Sequence, residues 1–135
     1  MDEKNPALIA SRNSWRCVMS KDRDGWLALM ADDITIEDPI GEAPTNPTGE
    51  GLKGKDAVLG FWAQNIEPTT IKIEPQESFA SGLEAAHVLT LTTTFENGMS
   101  AQVHGIFTYR VNDDGKLTNL RGYWSLDDMK MLEAK

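Results

Sequence analysis

The most chemically suggestive residue in the chain is a carboxylate placed where a strand ought to be apolar. In the stretch ADDITIEDPIG, residues 31–41, Ile34, Ile36 and Asp38 alternate with Thr35 and Glu37, the period-two pattern of a strand with one buried face. Asp38 thus shares the face of two isoleucines. Pro39 and Gly41 end the strand, because proline lacks the donor a ladder requires and glycine permits a sharp turn. Two readings of Asp38 stand. As the first residue of an Asp-Pro turn it hydrogen-bonds nearby backbone, and on residue types alone this reading carries the greater weight. As a desolvated carboxylate at the wall of a pocket it is a general base.

The other reactive side chains offer less. Asp32 and Asp33 read as helix termination and turn chemistry, Asp127 and Asp128 as a solvated patch, and Glu37 as facing solvent or a partner subunit. Cys17 is the single cysteine. It excludes an internal disulfide and a cysteine-rich zinc site, reads as a small buried hydrophobe, and fits a reducing cytoplasm. His87 and His104 are the two histidines, too little material for a metal centre; neither metal nor cofactor is expected. The net charge of -8 would repel phosphate backbones and anionic bilayers, so no nucleic-acid or membrane partner is expected. The N-terminal MDEKNPALIA is acidic and lacks a long apolar run, hence neither signal peptide nor spanning helix. A cytoplasmic protein is the expectation.

These residues must be positioned by ordered elements, and 135 residues with 40% hydrophobic content suit one domain, residues 1–135, with a substantial core. Asn5-Pro6 opens a helix running to about residue 20. Leu8, Trp15 and Met19 form one stripe of it. Ala7, Ala10, Ser14, Cys17 and Val18 form a neighbouring face of small side chains, able to approach a ligand or another element closely. Asp22 or Asp24 caps a short second helix carrying Trp26, Leu27, Leu29 and Met30; its tryptophan and methionine, like those before it, read as core packing. Residues 41–54, GEAPTNPTGEGLKG, form a long aperiodic loop, a lid or rim over a site. Their glycines lack the spacing of a phosphate-binding loop. Residues 55 to about 66, with Val58, Leu59, Phe61 and Trp62 apolar, form a third helix closed by Glu67-Pro68.

From residue 69 onward the pattern changes to strands. Ile71 and Ile73 alternate with Lys72 and Glu74, and residues 88–95, rich in β-branched side chains, alternate Leu89, Leu91, Thr93 and Phe95 against threonines. Asn97-Gly98 marks a hairpin. The returning strand puts Met99, Ala101, Val103, Gly105, Phe107 and Tyr109 on one face, with Gln102, His104, Thr108 and Arg110 on the other. Asn112 to Gly115 makes the next turn, residues 117–124 the last strand, and a charged tail frays beyond it. Helices first and an antiparallel meander last give the class α+β. A curved sheet wrapped by three helices would enclose an apolar cavity.

Three blocks, ADDITIEDPIG, GKDAVLGFW and YRVNDDGKLTNLRGYWS, give the chain a family likeness. From about residue 11 to about residue 129 it resembles the ketosteroid isomerases of the nuclear transport factor 2-like superfamily, actinobacterial steroid delta-isomerase-like proteins above all. The resemblance implies a cone-shaped roll, three N-terminal helices packed on a curved, mainly antiparallel sheet, and a homodimer paired through the outer sheet face. It places the family's general base on Asp38. That base moves a proton between two carbons of a steroid enone by way of a dienolate, and the family is itself the standard case of an aspartate base beside a donor pair. The donor pair is where this chain departs. The oxyanion-hole tyrosine falls on Ser14, the protonated aspartic acid on Phe107, and a supporting tyrosine of some members on Trp62. Ser14, Tyr109 and Trp62 are the candidate polar partners, while His104, of opposite parity, reads as a surface or interface residue. Met30, Val103, Phe107, Leu120 and Trp124 are the expected apolar walls.

The implied activity is a cofactor-independent isomerase that converts a β,γ-unsaturated 3-ketosteroid to the conjugated enone. The alternative is a steroid-binding or other hydrophobic small-molecule-binding protein without turnover, since losing one oxyanion donor typically costs ~10²–10³ in rate. A polyketide cyclase-like enzyme on the same fold is the third reading. Epoxide opening ranks last, because it would want an Asp-Arg-Asp relay and neither Arg110 nor Arg121 is securely placed beside Asp38.

Overall fold

The computed structural model describes residues 1–133. Helix α1 (Pro6–Ser20) starts as its sequence requires, with the Asn5 side chain accepting from the backbone N–H of Ala7 at 2.8 Å and Leu8 at 3.2 Å. It stops at Lys21, whose φ of 61° is left-handed. The Lys21 ammonium donates to the carbonyls of Ile66 and Thr69, tying the end of α1 to the turn that follows the third helix. Helix α2 (Arg23–Ala28) is capped by Asp22, which accepts from Gly25 N at 2.9 Å. Strands β1 (Met30–Glu37) and β2 (Leu52–Lys53) precede α3 (Lys55–Phe61). The expected third helix does reach Ile66, but its last turn, Trp62–Ile66, widens to a π-helix.

Four more strands follow: β3 (Thr70–Ser81), β4 (Glu84–Thr94), β5 (Ser100–Val111) and β6 (Leu117–Tyr123). They join one sheet of order β2-β1-β6-β5-β4-β3, antiparallel except where β1 runs parallel to β6. This is the α+β cone expected, three helices against a curved, mainly antiparallel sheet. The tail differs. After a 3₁₀ turn at Leu126–Asp128, residues Lys130–Leu132 form β7 and pair with Ser100 to Gln102 on β5. Open backbone donors at the start of β5 make that pairing available to a segment its charges marked as frayed. Ala134 and Lys135 lie outside the described residues.

Parity along β5 sorts the molecule into inside and outside. Ala101, Val103, Phe107, Tyr109 and Val111 are buried, whereas His104, Ile106 and Arg110 are exposed. Burying a side chain such as Phe107 contributes roughly 1.5–3 kcal/mol. The loop between β1 and β2 is not structureless either. Asn46 is fully buried, donating to Pro39 O and accepting from Gly51 N, both at 2.9 Å. An amide satisfied on both sides fixes the loop against the strand end it follows. Among the described residues no helix is long and apolar enough to cross a membrane.

Candidate active site

The parallel pairing of β1 with β6 sets Ile36 beside Leu120 and Glu37 beside Arg121. It brings the residues just beyond both strands, Asp38 and Trp124, together. Trp124 Nε1 donates to Asp38 Oδ1 at 2.7 Å. Gly122 makes room for this contact: a Cβ there would lie 2.9 Å from Asp38 Oδ1, from Phe107 Cε2 and from Trp124 Nε1. Only a hydrogen fits. The Asp38–Pro39 peptide is cis, the Thr45 hydroxyl donates to the Asp38 carbonyl, and Ile40 N donates to Gly122 O at 3.0 Å. These two hydrogen bonds hold the turn, and among the described residues the Asp38 carboxylate takes no part in it. That overturns the Asp-Pro turn reading of the side chain.

Asp38 is half-buried and lines a cavity of about 610 Å³ between the helices and the inner sheet face. Apolar walls come from Ile36, Leu89, Val103, Phe107 and Leu120, a size and lining suited to one small, largely apolar ligand. Desolvation pushes the Asp38 pKa up to about 6, with the Trp124 hydrogen bond pulling the other way. An indole N–H favours the carboxylate less than a cation would, so burial wins.

Two hydroxyl-bearing residues, Tyr109 and Ser14, line the cavity wall. Trp15 Nε1 donates to Tyr109 Oη and Trp26 Nε1 donates to Ser14 Oγ, each at 2.9 Å. A buried indole N–H needs an acceptor, and here each finds a hydroxyl oxygen. Burial raises the Tyr109 pKa above its usual range; the Trp15 bond opposes this and the Asp38 charge adds to it. Behind them His87 is buried edge-on to Trp15, its Nδ1 2.7 Å from Ser78 Oγ and its Nε2 without a partner among the described residues. Burial, helped by the Arg12 charge, lowers its pKa to about 4. It is neutral at neutral pH. Among the described residues no group of three His, Cys, Asp or Glu side chains converges as a metal site would require.

Of the residues singled out from the sequence, Ser14, Asp38, Val103, Phe107, Tyr109, Leu120 and Trp124 line the one cavity. Met30 and Trp62 do not. Met30 starts β1 in register with Leu117 and packs in the core. Trp62 packs at a 42° tilt against Trp26, ring centres 5.3 Å apart, and spends its indole N–H on Glu67 Oε2 at 2.8 Å, so it is unavailable as a donor to a ligand. Trp15, Trp26 and Thr45 were not anticipated at the wall. The tryptophans signalled only core packing; that each carries one polar atom needing a buried acceptor was the available clue. Glu37 bonds Arg121 instead of facing solvent alone, and Arg110 is exposed on the outer face. Neither arginine joins Asp38 in a relay.

Comparison with known proteins places this geometry. The family model of the SnoaL-like domain matches residues 12–120. The Δ5-3-ketosteroid isomerase from Mycobacterium sp. is 55% identical, with a TM-score of 0.93 over 95% of this chain and 99% of that one. Rv0760c from Mycobacterium tuberculosis, solved in complex with estradiol-17β-hemisuccinate, is 53% identical, with a TM-score of 0.91 over 94% and 99%. A computationally designed 17-OHP binder is 51% identical, with a TM-score of 0.93 over 95% and 99%. By family match, identity and fold, the chain belongs to the SnoaL-like domain family of the nuclear transport factor 2-like superfamily, as a ketosteroid isomerase-like member.

Proposed function

We propose that this protein is a steroid delta-isomerase-like enzyme of the cytoplasm, converting a β,γ-unsaturated 3-ketosteroid to its α,β-unsaturated isomer with Asp38 as the base. The observation that carries the reading is a carboxylate in an apolar cavity, pushed up to about pKa 6 by burial and held by the Trp124 indole N–H. Such a group is ionised at neutral pH yet basic enough to accept a proton from carbon. The carbon between carbonyl and alkene loses its proton to Asp38, and the electron pair moves onto the carbonyl oxygen as a dienolate. Return of the same proton to the far alkene carbon moves the double bond into conjugation and regenerates the carboxylate. Atoms balance without a redox partner or a metal. The steroid preference is supported by the bound ligand of Rv0760c and by the designed 17-OHP binder.

The test is a 5-ene-3-ketosteroid assay at the absorbance of the conjugated product, on the wild type and Asp38→Asn. Asparagine keeps the shape but cannot act as the base. Turnover by the wild type that collapses in the variant, with steroid binding retained, supports the enzyme. Equal binding with no turnover in either protein would make this a steroid-binding protein instead. Pairing of two copies through the outer sheet face belongs to the same proposal, and exposed Phe79, Ile106 and Tyr123 supply apolar surface for it. Sedimentation showing only a monomer at micromolar concentration would count against the dimer.

A further inference from the structure

A dienolate needs a donor for its oxygen, and neither Ser14 nor Phe107 is the strong donor the family places at those positions. The inner wall supplies one from elsewhere. Tyr109 sits on β5 two residues beyond Phe107 on the same buried face, and it lines the cavity that Asp38 lines. A tyrosine hydroxyl has one hydrogen to give and lone pairs to receive. Trp15 Nε1, at 2.9 Å, fills its acceptor side. Its hydrogen has no acceptor among the described residues: the neighbouring His87 ring, 5.5 Å away centre to centre, keeps an unpartnered Nε2. Nor is the hydroxyl bonded to Asp38, although the carboxylate is near enough for its charge to act on it. A buried O–H with a filled acceptor side and an unused hydrogen, across a gap from a base, is poised to donate to a ligand oxygen.

On the reading of the site as an isomerase, we propose that Tyr109 is the donor that stabilises the dienolate oxygen, and that Trp15 is the positioning residue that aims it. The tyrosine comes from the sheet rather than from helix α1, so the charge-stabilising function has moved across the cavity wall. Accepting a hydrogen bond from Trp15 polarises the hydroxyl and strengthens its own donation. Burial keeps it protonated, hence a donor, throughout the neutral range. The chemical class it selects is a ligand whose ring oxygen lies beside the acidic carbon: a 3-ketosteroid in turnover, or a phenolic steroid as a mimic of the dienolate.

Two readouts test this, one of them independent of turnover. In the 5-ene-3-ketosteroid assay Tyr109→Phe should lower kcat by about 10²–10³-fold with KM little changed, and Trp15→Phe should lower it by a smaller factor. In fluorescence titration the wild type should bind estradiol more tightly than its 3-deoxy analogue. Tyr109→Phe should erase that preference, and Trp15→Phe should shrink it, while a mere packing defect would weaken both ligands alike. Turnover abolished by Asp38→Asn but lowered less than about threefold by Tyr109→Phe would overturn the donor and leave the base standing. If the wild type shows no turnover, the isomerase reading fails and the estradiol pair alone decides: a wild type without preference for the phenol, or a Tyr109→Phe that retains it, overturns the proposal.

Discussion

Two carboxylates one residue apart in the chain end up in opposite chemical worlds. Glu37, the last residue of β1, turns to the outer face and accepts from Arg121 Nε at 3.1 Å, while Arg121 itself lies 5.8 Å from the Tyr123 ring centre. Asp38 turns inward and, among the described residues, receives only the Trp124 indole. The period of a strand decides which is which. What the difference teaches is that a carboxylate is kept basic by withholding a counter-charge. A guanidinium beside a carboxylate stabilises its charged form and makes it a poor proton acceptor. An uncharged donor in an apolar cavity holds the carboxylate in place and leaves it basic, and the protein's two nearby arginines, Arg110 and Arg121, are kept on the outer face by the same alternation.

The largest effect should come from neutralising the inner member. Asp38→Asn is expected to lower isomerase turnover by ~10²–10⁴-fold or more, read in the steroid assay. The same change should stabilise the fold at pH 7–8. With a folded pKa near 6 above the unfolded value, Asp38 contributes stability that is complete below about pH 4 and lost as pH rises through 6. Asparagine loses nothing over that window. The variant's advantage, on the order of 1–3 kcal/mol at pH 7–8, should vanish in denaturant titrations below about pH 4.

Crowding the contact is the next test. Gly122→Ala places a methyl group 2.9 Å from the carboxylate, the Phe107 ring and the indole nitrogen together. It should destabilise the protein by about 1–3 kcal/mol and reduce turnover, because Asp38 and Trp124 can no longer meet over the strand. Trp124→Phe removes the donor and keeps the apolar wall. Since that bond lowers the Asp38 pKa, the acid limb of kcat/KM should move up in pH, by about one unit, with less change on the plateau. The outer member should matter least. Glu37→Gln breaks a partly exposed ion pair and should cost about 0.2–1 kcal/mol, with turnover unchanged.

How much of this could be read from the residues varies with range. The placement of Asp38 among Ile34 and Ile36, the hairpin at Asn97-Gly98 and the buried face of β5 are local periodicities, and the structure keeps them. The pairings Trp124–Asp38, Trp15–Tyr109 and Trp26–Ser14 link residues 86, 94 and 12 positions apart. No local pattern announces them, so two tryptophans read as core packing turned out to hold polar groups at the cavity wall. Trp62 failed as a pocket residue for the converse reason: a local partner, Glu67, five positions on, claims its indole N–H. The tail looked frayed because three exposed residues of β7 gain order only from backbone pairing with β5. The asparagine that orders the long loop, Asn46, is one polar residue among several there, and only its burial distinguishes it.

The most direct measurement is a titration of the Asp38 carboxyl carbon by NMR in the free protein, with Asp38→Asn used to assign the signal. A base left without a counter-charge should titrate near pH 6 and move higher in Trp124→Phe. A midpoint below about 4, the range of an ordinary or ion-paired aspartate, would contradict the account.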